Sequence, residues 1–375
     1  MPGLLPNVDP DGLLEYSVVY NDRTLNHMSR SFRSVMKEIS AALKRVYNAR
    51  AVVLVPGSGT YGMEAVARQF ATGQSCLVIR NGWFSFRWTQ ILDMGAIPSG
   101  QTVLKARQVG RGSRAPFAPA PIEEVVSAIA AERPGIVFAP HVETASGMIL
   151  PDDYVRRVAD AVHEAGGMFV LDCIASGAVW VDMEASGADV LLSAPQKGWT
   201  GSPCCGLVML GEHALERLDA TTSTSYSCDL KKWLEIMRAY EGGAHAYHAT
   251  MPTDGLRTLA AAIAETERFG LAAASERQDE LGGRVRELLV GRGFPSVASQ
   301  GFQAPGVVVS YTDDDDMSNG SKFAEAGVQV AGGVPLRCDE PADFKTFRVG
   351  LFGLDKLADV EGTVQSFRRA LERIG

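Results

Sequence analysis

The stretch 193-SAPQKGWTGSPCCG-206 sets one lysine, Lys197, among small residues, prolines and glycines, just after the apolar run Ala188-Asp189-Val190-Leu191-Leu192. Desolvation lowers an amine's pKa and exposes its nucleophilic form, so this setting suits a lysine that bonds a carbonyl carbon. It would also suit a plain surface loop. Asp172 lies 25 residues earlier (197 − 172) and ends a second apolar run, 168-MFVLD-172. A buried carboxylate is costly without a partner, so Asp172 should face a cation or a hydrogen-bond donor, whether a ligand, a helix end or a structural ion pair. A third polar site is the turn in 56-PGSGTYGMEA-65, which joins an apolar run to a helical pattern. Free backbone N–H groups and the positive end of a helix dipole make such a turn an anion cradle, with the Ser58 and Thr60 hydroxyls as further donors. The same turn also reads as a tight strand-to-helix connection capped by Thr60.

Taken in order, an anion-binding turn, a strand-end aspartate and a strand-end lysine meet the needs of pyridoxal 5′-phosphate (PLP). That cofactor requires a phosphate site, a carboxylate that keeps its pyridine nitrogen protonated and a lysine that forms a Schiff base. Lys197 and Asp172 are then the catalytic pair. No metal is expected, because the histidines show no ligand spacing such as HExxH.

These residues need elements to hold them. Residues 51–55, 75–79, 135–140 and 168–172 read as short, continuously apolar strands, and 61–71, 121–132 and 151–166 as amphipathic helices between them. Such alternation predicts an α/β fold with a mostly parallel sheet covered on both faces, and ligands bound beyond the carboxyl ends of the strands. After residue 255 the texture changes: one long helical pattern over 256–293, short strands at 306–311, 328–333 and 346–353, and a final helix near 355–373. We therefore divide the chain into an extended amino-terminal arm (1–25), a large cofactor-binding domain (26–254) and a smaller carboxy-terminal α+β domain (255–375). Asp313 to Asp316 read as a solvated loop.

With 375 residues, 46% of them hydrophobic, the chain has room for a large core, and a formal charge of −8 speaks against nucleic acid or an anionic membrane as a partner. No apolar run approaches the roughly 20 residues that span a bilayer, and the first residues lack a signal-peptide pattern, so a cytoplasmic location is expected. Six scattered cysteines, none spaced CxxC, are expected to be reduced.

The motifs SGTYGMEA (58–65), RNGWFSFRW (80–88), HVETASG (141–147), VLDCIAS (170–176), SAPQKG (193–198), YHATMPTDGL (247–256) and TFRVGLFG (346–353) occur in this order. Together they resemble those of the class V aminotransferases, especially the alanine–glyoxylate, serine–pyruvate and serine–glyoxylate group, over residues from about 50 to 355. The resemblance implies PLP fold type I, with a mostly parallel sheet of seven-stranded type sandwiched by helices. It also implies roles. Ser58, Gly59, Thr60 and Gln196 would bind the phosphate, Phe84 would stack on the pyridine ring, and Thr144 would lie near the ring's phenolic oxygen. Ala145 and Ser146 depart from the commoner serine–threonine pair beside it. Tyr247 and Thr250 would reach the phosphate of the neighbouring subunit, which implies a homodimer with shared active sites. Arg348 would clamp the substrate carboxylate, which its planar fork suits. The implied reaction is ping-pong transfer from a small amino acid, alanine or serine, to glyoxylate or pyruvate, with aminoethylphosphonate-type donors still open.

The same frame serves cysteine desulfurases and other lyases, so Cys338, ten residues before Arg348 (348 − 338), is a candidate sulfur carrier. Asp339 and Glu340 beside it should raise its pKa and count against that role. A non-catalytic PLP-binding module is a further alternative, disfavoured by the joint presence of Lys197, Asp172 and Arg348. Asn26, His27 and Ser29 are placed where they could line a substrate pocket or pack under the arm.

Overall fold

The computed structural model describes residues 4–374. Seven strands form the main sheet: β1 (Ala51–Pro56), β2 (Ser75–Arg80), β3 (Gly100–Lys105), β4 (Ile136–Pro140), β5 (Met168–Asp172), β6 (Val190–Ser193) and β7 (Cys205–Leu210). Their order across the sheet is β1-β7-β6-β5-β4-β2-β3. From β3 to β6 all neighbours run parallel, and β7 runs antiparallel to both β6 and β1. Strands β4 to β7 are buried at every residue, the burial expected when helices cover both faces.

The covering helices follow the strands. They are α1 (Arg30–Tyr47), α2 (Gly59–Phe70), α3 (Trp83–Met94), α4 (Ile122–Glu132), α5 (Asp152–Glu164), α6 (Glu212–Ala220) and α7 (Leu230–Glu241). In α1, Phe32, Met36, Ile39 and Leu43 recur at helical spacing and are all buried, while Ser29 caps the first turn by accepting from the Phe32 N–H.

The helical pattern at 256–293 is two helices, not one. α8 (Thr253–Phe269) ends at Gly270, whose φ of +97° is open to glycine and strained for other residues, and α9 (Leu271–Gly291) starts directly after it. Beyond them a second sheet has β10 (Thr346–Gly350) at its centre, between β8 (Val307–Tyr311) and β9 (Ala331–Gly332), all antiparallel. Only two residues of the expected 328–333 strand pair in this sheet. It has its own core, in which Leu281, Val308, Phe347 and Phe367 are buried together. The acidic run at 313–316 is not wholly loop. Asp314 caps a short helix at Asp315–Ser318 and pairs with Lys322.

Candidate active site

Strand register brings the first residues together. Asp172 is the last residue of β5, level with Pro140 of β4 and Leu192 of β6, so it opens at the carboxyl edge of the sheet's centre. Lys197 follows the end of β6 by four residues (197 − 193), and the turn after β1 carries Ser58, Gly59 and Thr60 into the start of α2. All five line one cavity of about 190 Å³, together with Phe84, Thr144 and Gln196.

At the turn, Ser58 is the helix N-cap residue by its extended backbone, yet its hydroxyl makes no capping bond. Thr60 is the second helical residue, and its hydroxyl accepts from Arg87 at 2.9 Å. The turn therefore offers backbone N–H groups, one uncommitted hydroxyl and a guanidinium to an anion. A β-carbon at Gly59 would come within 2.8 Å of the Ile174 side chain, so this face of the turn is tightly shaped.

Asp172 is buried, and burial pushes its carboxyl up to about 6. Its Oδ1 accepts from the Ile174 N–H at 3.0 Å, and the positive charge of Arg87 partly offsets the cost. The Trp88 indole lies close enough to lower the value slightly, although its Nε1–H meets no acceptor at good hydrogen-bond geometry. His141 fixes the neighbouring chain. Its N–H donates to the Asp172 carbonyl at 2.8 Å, and its ring Nδ1 lies 2.7 Å from Ser176 Oγ. Full burial lowers that imidazole to about 4, so it is neutral near pH 7.

Lys197 Nζ sits 4.9 Å from the centre of the Phe352 ring. Burial, and then the nearby charge of Arg348, lower its pKa, which favours the free amine. Arg348 is not on an edge. It lies in β10, the central strand, opposite Val309 and Ala331. Its Nε–H donates to the Gly332 carbonyl at 2.7 Å, and its guanidinium stands 5.4 Å from the Phe84 ring centre. Arg87 stands 5.2 Å from the same ring, so Phe84 is held by two cations.

Two cavity residues stand out only in three dimensions. Glu143, 1% exposed, accepts from the N–H groups of Phe84, Ser85 and Ala145 and from the Ser85 hydroxyl; burial lowers the Arg348 pKa, and the charge of Glu143 partly opposes that by favouring the guanidinium. It thereby caps α3, the helix that presents Phe84. Arg87 links Thr60 to the field of Asp172. A charged residue amid small ones in 141-HVETASG-147 was the available signal for Glu143.

Tyr247 and Thr250 do not join this cavity. They are exposed and bonded to each other at 3.1 Å. Asn26 and His27 are buried near the arm, where Asn26 donates to Glu15 at 2.7 Å and His27 packs against Tyr20, His245 and Tyr247, while Ser29 caps α1. Cys338 is buried, and burial first, then Glu143 and Glu340, push its thiol up to about 12. Asp339, expected to act on that thiol, pairs with Lys105 instead. All six cysteines are free and buried. No described helix is long and apolar enough to cross a membrane.

No family model matches the chain. It is 28% identical to 2-aminoethylphosphonate–pyruvate transaminase 2 of Paraburkholderia xenovorans (strain LB400), over 89% of this chain and 86% of that protein. It is 24% identical to alanine–glyoxylate aminotransferase of Rattus norvegicus, over 93% of this chain and 83% of that protein. Among solved structures, alanine–glyoxylate aminotransferase from Nostoc sp. superposes with a TM-score of 0.77 at 23% identity, covering 93% of this chain and 88% of that one. An aspartate aminotransferase of subgroup IV from Thermus thermophilus gives 0.75 at 24%, covering 94% of each. The fold is that of the fold type I aminotransferases, and along most of its length the chain is similar in sequence to aminotransferases of the class V type.

Proposed function

We propose that this enzyme is a PLP-dependent aminotransferase that moves an amino group from a small amino donor to a small 2-oxo acid, glyoxylate or pyruvate, in a ping-pong sequence. The observation that carries this reading is the convergence, on one cavity, of a desolvated lysine, a buried aspartate and an anion-binding turn with a free hydroxyl. The donor set fits the cofactor: the costly carboxyl of Asp172 suits a cationic ring nitrogen, and the turn suits a phosphate. Bound there, PLP supplies an electron sink through its protonated pyridine ring.

The chain's own residues would do the rest. Ser58, Gly59, Thr60 and Gln196 would hold the phosphate, Phe84 would flank the ring, and Thr144 would lie toward its phenolic oxygen. Asp172 would keep the proton on the ring nitrogen. Lys197 would hold the cofactor's carbonyl carbon and, as a neutral amine, would move the donor's Cα proton. Arg348 spends its Nε–H on Gly332, which fixes the guanidinium plane and leaves the Nη pair to grip a carboxylate. Glu143 steadies both Phe84 and Arg348.

The relatives' own donors, alanine and 2-aminoethylphosphonate, support a small donor. Tyr247 and Thr250, exposed and outside their own chain's cavity, support a homodimer in which each chain completes its partner's site. The free, buried cysteines support a reducing compartment, the cytoplasm. Sulfur transfer is disfavoured because a buried Cys338 thiol held at high pKa is a poor nucleophile. The test is a donor panel of alanine, serine and 2-aminoethylphosphonate against the PLP-loaded protein, read by loss of its visible absorption and recovery on adding pyruvate or glyoxylate. Absence of that cycle with every donor, or sulfide release from cysteine, would overturn the reading.

A further inference from the structure

A second cluster of chemistry-bearing side chains lies at the other end of β6. Asp189 immediately precedes the strand whose far end leads to Lys197, so the cluster is across the sheet from the candidate active site. His163 reaches it from the last turn of α5 and His213 from the first turn of α6. His163 Nε2 is 3.0 Å from Asp189 Oδ2, His213 Nδ1 is 3.2 Å from Asp189 Oδ1, and all the donor atoms lie within 4.8 Å of one another. We propose that His163, Asp189 and His213 form a binding site for a divalent transition ion of the zinc type.

Two imidazoles and a carboxylate are borderline donors, the kind preferred by zinc, cobalt and nickel and not by magnesium or calcium. Zinc bonds of about 2.0 Å place tetrahedral ligands about 3.3 Å apart, so the two His–Asp separations already match. The carboxylate is pre-positioned: Asp189 is 6% exposed, and its Oδ2 also accepts from the Phe169 N–H at 2.7 Å. Both histidines sit at helix ends with about 40% and 37% of their side chains exposed, which leaves the rings free to close on an ion. The cluster opens into a cavity of about 300 Å³ that also carries Asn48, Glu184 and Glu212, oxygen donors suited to a fourth ligand or a bound water. Each ring would coordinate as a neutral imidazole through the nitrogen that faces Asp189, its one proton moving to the other ring nitrogen, and any ring that was charged would release one proton to solvent. Residues 163 and 213 are 50 apart (213 − 163), so no linear motif marks the site.

The ion would pin α5 and α6 to the start of β6. The test uses untagged, chelator-treated PLP-loaded protein titrated with ZnCl2 by calorimetry, and with Co²⁺ by visible absorption. One equivalent should bind, raise the melting temperature by a few degrees and give a tetrahedral Co²⁺ spectrum. His163→Gln and His213→Ala should each weaken binding at least about tenfold while keeping the cofactor's absorption and the basal turnover. No saturable binding, or the same affinity in both variants as in the parent, would overturn the site and leave Asp189 as a purely hydrogen-bonded anchor for the two rings.

Discussion

At the scale of single residues, Asp172 makes opposite demands with and without a cation beside it. Its carboxyl sits near 6 in the folded chain, against about 3.9 when unfolded. Below about pH 4 both states hold the proton and it has no effect; as pH rises through 4 to 6 only the unfolded state ionises, so folding stability falls, by about 3 kcal/mol at most. Cofactor-free Asp172→Asn should therefore melt above the cofactor-free parent at pH 7 and together with it near pH 4, since its amide oxygen can keep the Ile174 bond. The same variant should lose turnover by several orders of magnitude. Equal melting at both pH values would show that no such cost is stored. Arg348→Gln should raise the donor KM about 10- to 100-fold with cofactor absorption intact, the expected loss of hydrogen bonds to a charged group. Cys338→Ser, in contrast, should leave turnover within about twofold, because the thiol only donates weakly to the Arg80 and Leu336 carbonyls. Lys197, Asp172 and the Ser58–Thr60 turn were legible because each is an abrupt polar break at the end of an apolar run. Glu143, Arg87 and His141 were not, because what they do depends on which distant backbone or side chain the fold brings to them.

At the scale of elements, the close contact of two glycines decides where the anion-binding turn sits. Gly206 of β7 faces Gly62 in the first turn of α2, and a β-carbon at 206 would lie 2.9 Å from Gly62 Cα and N and from the Ser58 carbonyl. Backbone atoms cannot swing aside as a side chain can. Gly206→Ala should push α2 off the strand, cost about 1–3 kcal/mol and weaken PLP binding far more than donor binding. Equal losses for cofactor and donor, followed by absorbance titration and by KM, would point to general loosening. Strands β1, β2, β4 and β5 were legible within a residue or two, since a run buried on both faces is continuously apolar. β7 was not, because its first residues look like the end of the lysine loop, and nothing in a sequence's periodicity encodes that it runs against its neighbours. The break between α8 and α9 was hidden for a related reason. Gly270 interrupts an unbroken helical pattern by its backbone angle alone.

At the scale of the whole molecule, the site as one chain builds it has lysine, carboxylate and turn but not Tyr247 or Thr250. Tyr247, Tyr61 and Tyr226 are left 52%, 54% and 78% exposed, surface that the proposed homodimer would cover. The chain is expected to run in solution at twice its 40.1 kDa mass. A sharper expectation follows from two-fold symmetry. Lys197→Ala has no amine, and Tyr247→Ala with Thr250→Ala lacks the exposed pair; each alone should be poorly active. If the pair serves the partner's site, a mixed dimer holds one cavity with both defects and one with none. Random re-association makes half the dimers mixed, so after co-refolding equal amounts should recover about a quarter of parental activity. If the pair instead serves its own chain, every cavity keeps one defect and mixing recovers nothing, because no exchange of subunits can then unite a sound lysine with a sound tyrosine.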